Sequence, residues 1–190
     1  NSSYDGNNDG TPDWQQCNVA SLHTYDQQSY ITLVSANQTA MTDVGAVDNP
    51  SPADAPAEVD FPYQFFEFTI NGVEAGSSAN VTMLLPDGVS LDTYYKYGPT
   101  SDNATPHWYE FMFEDSTGAE INGNVIILYF VDGQRGDDDL APNGTIVEPG
   151  GPGQQVAPEN TPPVADDQTV TTDEDTPADI TLTATDADGD

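Results

Sequence analysis

The chain has 190 residues, 33 of them acidic and two basic, for a formal net charge of −31. Such a surface excludes nucleic acid and anionic membranes as partners. Hydrophobic residues make up only 36%, yet nine Tyr, seven Phe and two Trp exceed what a disordered polymer carries, so a folded core is expected.

Self-repulsion of that size opposes compaction unless cations offset it. Many of the acids stand in D-x-D or DDD groups beside glycine, the pattern expected where Ca²⁺ neutralises them. The single cysteine, Cys17, forbids an intrachain disulfide and reads as a small buried residue. No apolar run reaches the ~20 residues of a membrane-spanning helix, and no leader segment is recognisable, so the chain reads as a mature form or an excised piece.

In chain order, residues 1–16 form the first calcium candidate. Asp5, Asn7, Asp9, the Thr11 carbonyl and Asp13 alternate as in the first half of an EF-hand loop. The twelfth position, where an EF-hand places a bidentate Glu, is Gln16, and the spacing resembles the short calcium motif of thrombospondin type 3 repeats. Residues 29–35, holding YITLV, predict a strand. The Pro/Ala/Asp-rich residues 43–58 predict no regular element. In residues 59–72 the aromatic positions change parity at Phe65-Phe66, which predicts a bulge or a strand buried on both faces. Val81, Met83 and Leu85 alternate in the next strand.

TYYKYG and HWYEFMFE then predict two strands around a loop, PTSDNATP. Phe111 and Phe113 are expected in the core, Tyr97 and Trp108 at an exposed ligand-binding face. Lys96, the only lysine, has three readings: a cation meeting a ligand carboxylate, an intramolecular isopeptide partner near an acid such as Glu110, or a surface ion pair. The most apolar run, 125–130, leads into VDGQRGDDDL. There Asp132, Asp137, Asp138 and Asp139 are candidate calcium ligands, and Arg135 is either a strut inside the loop or a ligand contact. EPGGPGQQVAPENTPP reads as a linker, and the Thr/Asp-rich remainder predicts strands at 169–172 and 180–185 before Asp186, Asp188 and Asp190, a third calcium candidate.

The expected fold is all-β: a calcium-stabilised β-sandwich, jelly-roll or Ig-like, with a partial second β repeat. Its expected parts are a calcium-binding loop (1–16), a sandwich (17–148), a linker (149–163) and a truncated repeat (164–190). No G-x-S-x-G, H-E-x-x-H or phosphate loop is present, and His23 and His107 are the only histidines, so no enzyme is expected.

Two families are brought to mind by longer words. Asn160, Pro163-Val164-Ala165, Glu174-Asp175-Thr176-Pro177 and the closing Asp186, Asp188, Gly189 and Asp190 resemble the opening of bacterial cadherin-like repeats. DGTPDWQQCNVASL, DNPSPADAPAEVDFPYQFFEF, TYYKYGPT, NATPHWYEF, GAEINGNVIILYFVDGQRGDDDL and NGTIVEPGGPG resemble the choice-of-anchor U domain of large secreted or surface-attached bacterial proteins, over residues 5–153. A weaker, architectural similarity links the chain to the calcium-dependent peptide-binding domains of RTX adhesins. These resemblances imply a secreted or cell-surface bacterial module, a calcium-dependent part of a large adhesin that recognises a protein, peptide or glycan without inserting into a membrane. The alternative expectation is a spacer or filament subunit of a surface assembly, using residues 160–190 to exchange strands with neighbouring repeats or copies.

Overall fold

The computed structural model describes every residue except Asn1, Ser2, Val89, Pro158, Glu159, Asp188 and Asp190. The strands follow the alternation of apolar side chains. They are β1 (Val19–His23), β2 (Tyr30–Ser35), β3 (Ala40–Val47), β4 (Val59–Asp60), β5 (Phe65–Asn71) and β6 (Ser78–Leu84), then β7 (Thr93–Thr100), β8 (Asn103–Glu110), β9 (Gly118–Asn122), β10 (Val125–Val131) and β11 (Thr145–Gln155). One sheet has the order β1-β2-β6-β10-β9. The other has the order β3-β5-β11-β7-β8, with β4 paired to the end of β11. Their ladders are antiparallel. The only helical element among the described residues is a 3₁₀ turn, Asp13–Gln15.

The two sheets share one apolar layer, as in a β-sandwich. Ile31, Leu33, Val81, Met83, Ile126, Leu128 and Phe130 come from the first sheet; Phe66, Phe68, Ile70, Tyr94 and Ile146 come from the second. Phe68 meets Phe130 across the layer, edge to face at 6.4 Å between ring centres. Each such side chain contributes roughly 1.5–3 kcal/mol on burial, before the entropy of ordering the chain is subtracted.

Several expectations need correction. The glycine-rich stretch from Pro149 to Gln155 is not linker but the second half of β11, in the interior of its sheet. It pairs with β5 up to Gly150 and with β7 from Gly150 to Gly153. Neighbouring side chains and, at Gly151, a backbone carbonyl occupy the space that side chains on this strand would need. A Cβ at Gly150 would lie 2.7 Å from a Tyr94 ring carbon, one at Gly151 2.6 Å from the Gln64 carbonyl oxygen, and one at Gly153 2.6 Å from Val59. The first compact unit accordingly runs to Val156.

Much of PTSDNATP is strand, since β7 continues to Thr100 and β8 starts at Asn103. Residues 43–47 belong to β3, whose ladder shifts register between Thr42 and Gly45. The pairing of β5 runs unbroken through Phe65 and Phe66, so their change of parity reflects burial on both faces. Phe113 is exposed, resting on the Tyr129 ring, and Cys17 is exposed with its Sγ near the Thr39 carbonyl.

The second unit, Ala157–Asp190, contains one ladder of two residue pairs, β12 (Val164–Ala165) with β13 (Ala184–Thr185). Residues 169–172 form no strand, and Val164, Ile180 and Leu182 are exposed. Among the described residues no helix is long and apolar enough to cross a membrane.

Candidate functional site

The acidic loop after β10 is folded inward, and each of its aspartates has a different task. Asp132 is buried; its Oδ2 accepts the Gly76 and Gly144 N–H groups at 2.8 and 2.9 Å, while its Oδ1 is buried without a partner. Asp137 accepts the Gly133 and Val147 N–H groups at 2.8 and 3.0 Å. Asp139 accepts the Ala141 N–H and the Asn143 side-chain amide, both at 2.8 Å. The Asp138 carboxylate lies over Gly98 of β7, where it leaves no room for a Cβ, and its Oδ1 is also buried without a partner. These hydrogen bonds tie the loop to the ends of both sheets.

Arg135 serves the same end. It donates to the Glu110, Met112 and Thr117 carbonyls at 2.8, 3.3 and 3.3 Å, and its guanidinium stacks 4.9 Å from the Phe111 ring centre. It is a strut between the loop and the segment after β8, and not an exposed ligand contact. Gly136, with φ +98°, has no room for a side chain because the Phe111 ring lies over it.

Lys96 is the larger correction. It is fully buried, paired with the equally buried Glu148, and therefore neither meets an external ligand nor sits on the surface. Its Nζ lies 5.4 and 5.6 Å from the ring centres of Phe111 and Phe130. Tyr94 Oη donates to Glu148 Oε1 at 2.9 Å. Both basic residues of the chain thus lie against Phe111, Lys96 fully buried and Arg135 half-buried. Burial pushes the Glu148 carboxyl up against the opposing pull of Lys96, and it pushes the Tyr94 and Tyr109 hydroxyls well up.

Tyr97 and Trp108 are paired across β7 and β8 on the opposite, outer face. Trp108 packs on Phe61, Phe65 and Tyr97 and donates its indole N–H to the Ser51 carbonyl at 3.1 Å. The structure therefore separates the four expected ligand contacts. Lys96 is internal, Arg135 is half-buried with its guanidinium engaged by carbonyls, and Tyr97 and Trp108 are half-buried in an outer aromatic cluster.

Burial also raises the Asp137 and Asp138 carboxyls above their ordinary value. A carboxyl raised in the fold contributes stability that is full below its unfolded pKa and is lost as pH rises through the folded one. Asp9, Asp26 and Asp102, lowered by bonds from Thr11, Thr24 and Thr100, act in the opposite sense but lie in solvent. With EGTA present, the contribution of these two acids is expected to fall as pH rises from the ordinary Asp value of about 4, giving a higher melting midpoint at about pH 4 than at about pH 7. A midpoint that rises with pH would overturn the inward placement of these two acids.

The N-terminal loop is built differently. It closes where the Asp13 N–H donates to the Tyr4 carbonyl at 2.9 Å, and the Gly6 N–H donates to Asp13 Oδ1 at 2.9 Å. Asp5 accepts the Asp9 and Gly10 N–H groups, and Asp9 Oδ1 accepts that of Thr11. Asp9 Oδ1 and the Thr11 carbonyl converge on one donor, the Gln16 side-chain amide nitrogen, at 3.3 and 3.0 Å. The chemistry of this donor set fits a hard cation: two oxygens already aimed at a common point, with Asp5 and Asn7 within the same turn. At the other candidate, Asp186 accepts the Gly189 N–H, and Asp188 and Asp190 lie outside the described residues. Among the described residues no three His, Cys, Asp or Glu side chains converge as a metal-holding group.

The loop covers one end of an open groove on the outer face of β1 and β2. Its volume is about 520 Å³, and it is lined by Tyr4, Asp13, Trp14, Val19, Ser21, His23 and Tyr30. Trp14 is 69% exposed, and Tyr30 meets Tyr4 and His23 edge-on at 5.0 and 4.7 Å. Asp13 joins loop and groove, since its Oδ2 accepts the Ser21 hydroxyl at 2.5 Å. Sequence reasoning missed this groove. Its one available signal was that Tyr4 and Trp14 bracket the alternating acids; the register that sets Tyr30 beside His23 appears only in the ladder.

Comparison with family models, with curated proteins and with solved structures finds no match to this chain. The groove, the acidic loop and the buried pair therefore carry the functional reading by their own geometry.

Proposed function

We propose that residues 1–156 form a calcium-dependent extracellular binding module of a large bacterial surface protein, and that the groove beside β1 is its ligand seat. The carrying observation is the exposed Trp14 in a groove of three aromatic rings, closed at one end by a loop whose oxygens fit a hard cation. Solvent-exposed aromatic faces suit stacking on sugar rings or on extended peptide. With Lys96 fully buried and Arg135 spent on carbonyls, the surface presents carboxylates and aromatics, which favours a neutral glycan or a cationic peptide or protein patch. Calcium would hold Asp5, Asn7, Asp9, the Thr11 carbonyl and Asp13 in place and so fix the wall of the groove. The resemblance to the choice-of-anchor U domain supports a surface location. Of the two sandwich types, the crossings from sheet to sheet at β5–β6, β6–β7, β8–β9 and β10–β11, with hairpins at β7–β8 and β9–β10, favour a jelly roll.

A glycan and peptide array probed in calcium and again in EGTA tests this reading. Trp14→Ala is expected to abolish the signal while leaving the melting temperature within about 1 °C, since an exposed side chain contributes little to the core. A calcium-dependent ligand that binds Trp14→Ala as well as wild type would sink the groove as the seat.

A second reading has its own observation. The apolar side chains Val164, Ile180 and Leu182 are exposed around a ladder only two pairs long, a segment suited to pairing with another chain or repeat. Light scattering of the chain with and without residues 157–190 checks it: assemblies that persist unchanged after the deletion exclude strand exchange.

A further inference from the structure

We propose that Lys96 and Glu148 condense into an intramolecular amide that ties β7 to β11, with Asp138 carrying the proton. The only lysine of a surface-rich acidic chain stands in the core, in direct contact with a carboxylate that is itself fully buried. Charges in such a place are costly, and transfer of the proton from Lys96 to Glu148 removes both. What remains is a neutral amine against a neutral acid, in a dry site walled by Phe111 and Phe130.

The surrounding residues fit the reaction. Lys96 pairs with Gly150 across the β7–β11 ladder, two residues from Glu148, so the two side chains lie diagonally on one face. A Cβ at Gly150 would run into Tyr94 and come within 3.1 Å of Lys96 Cγ, so the glycine keeps the space in which the pair meets. The Tyr94 hydroxyl donates to Glu148 Oε1, where negative charge would develop during attack on the carboxyl carbon. Asp138 reaches the same face of β7, over Gly98, and its Oδ1 is buried with no partner. The Tyr109 hydroxyl, opposite Lys96 on β8, is also buried without a partner. An ion pair alone leaves these atoms unexplained.

Atoms balance without an oxidant or an external activator. The neutral Lys96 Nζ attacks Glu148 Cδ and forms the C–N bond. Asp138 takes the proton that Nζ sheds and returns it to the departing hydroxyl. The C–O bond breaks, one water leaves, and Asp138 ends as it began. Both partners are held by adjacent strands, so the step has the effective concentration of an intramolecular reaction, about 10⁵ M or more in well-oriented cases.

The test is the intact mass of the purified full chain, denatured. The expected result is the sequence mass less one water. Trypsin adds a second readout, because Lys96 and Arg135 are its only sites. An unlinked chain falls into residues 1–96, 97–135 and 136–190. A linked chain resists cleavage at Lys96 and stays joined as one species on a denaturing gel, and fragmentation after pepsin maps the join to Lys96 and Glu148. Lys96→Arg is expected to show the full mass, and Asp138→Ala to show incomplete water loss. A wild-type chain of full mass that yields three fragments overturns the proposal, as does water loss that persists in Lys96→Arg. A join mapped from Lys96 to Asp138 overturns the assignment to Glu148, and complete linkage in Asp138→Ala overturns the role given to that acid.

Discussion

Replacing Glu148 with alanine is expected to lower the melting temperature of the first unit by about 6–20 °C, the equivalent of about 3–5 kcal/mol. Alanine leaves Lys96 in a site with no solvent, between two aromatic rings that offset only part of the cost of its charge. Tyr94 loses its hydrogen-bond acceptor in the same step. The companion experiment is Lys96→Met with Glu148→Leu. This double variant replaces the pair by apolar groups of similar volume and is expected to regain most of the loss, because no uncompensated charge remains. Circular-dichroism melts of the three proteins decide the matter. A double variant as unstable as Glu148→Ala would mean that the pair contributes more than mutual neutralisation, and the mass of the wild-type chain would then show whether a covalent tie is the reason.

The sandwich was legible in the sequence wherever a strand had one wet face. Val81, Met83 and Leu85 alternate and are buried as expected, and residues 125–131 form β10 within one residue of the apolar run. β11 was not legible, because its burial comes from its neighbours. Glycines and prolines read as linker, yet here they make room for Tyr94, Phe65 and Phe61, whose positions depend on long-range pairing. The same limit hid Glu148, which stood at the apparent edge of the domain. In VDGQRGDDDL the residue types pointed to one shared cation. The fold instead gives each carboxylate its own backbone donors or a place in the core, a distinction set by whether side chains point along or away from the loop. In the N-terminal loop Asp9 and Thr11 lie close in sequence, and local turns bring their oxygens together on the Gln16 amide, so that much of the geometry was legible.

That loop leads to the second large effect. Calcium at saturating concentration is expected to raise the melting temperature, and EGTA to lower it, by the equivalent of about 4 kcal/mol when calcium exceeds its Kd by ~1,000-fold. The stabilisation follows if calcium binds the native chain alone, where the Asp13 N–H closes the loop on Tyr4 and Gly6 packs where Ser21 and Thr32 leave no space for a Cβ. Without a cation, the Gln16 amide fills the point on which Asp9 and Thr11 converge, so the loop has a weaker fallback and loses stability without unfolding outright. Asp9→Ala is expected to leave the melting temperature in EGTA unchanged and to abolish the rise on adding calcium, because Asp9 is exposed and its hydrogen bonds are confined to the loop. A calcium response that survives in Asp9→Ala would place the ion elsewhere. No response in wild type would remove calcium from the account, leaving the buried pair and the inward-turned aspartates as what holds a chain of net charge −31 together. If ligand binding and melting temperature lose their calcium dependence together in Asp9→Ala, the loop fixes the groove through Asp13, the one proposed calcium ligand that also lines it.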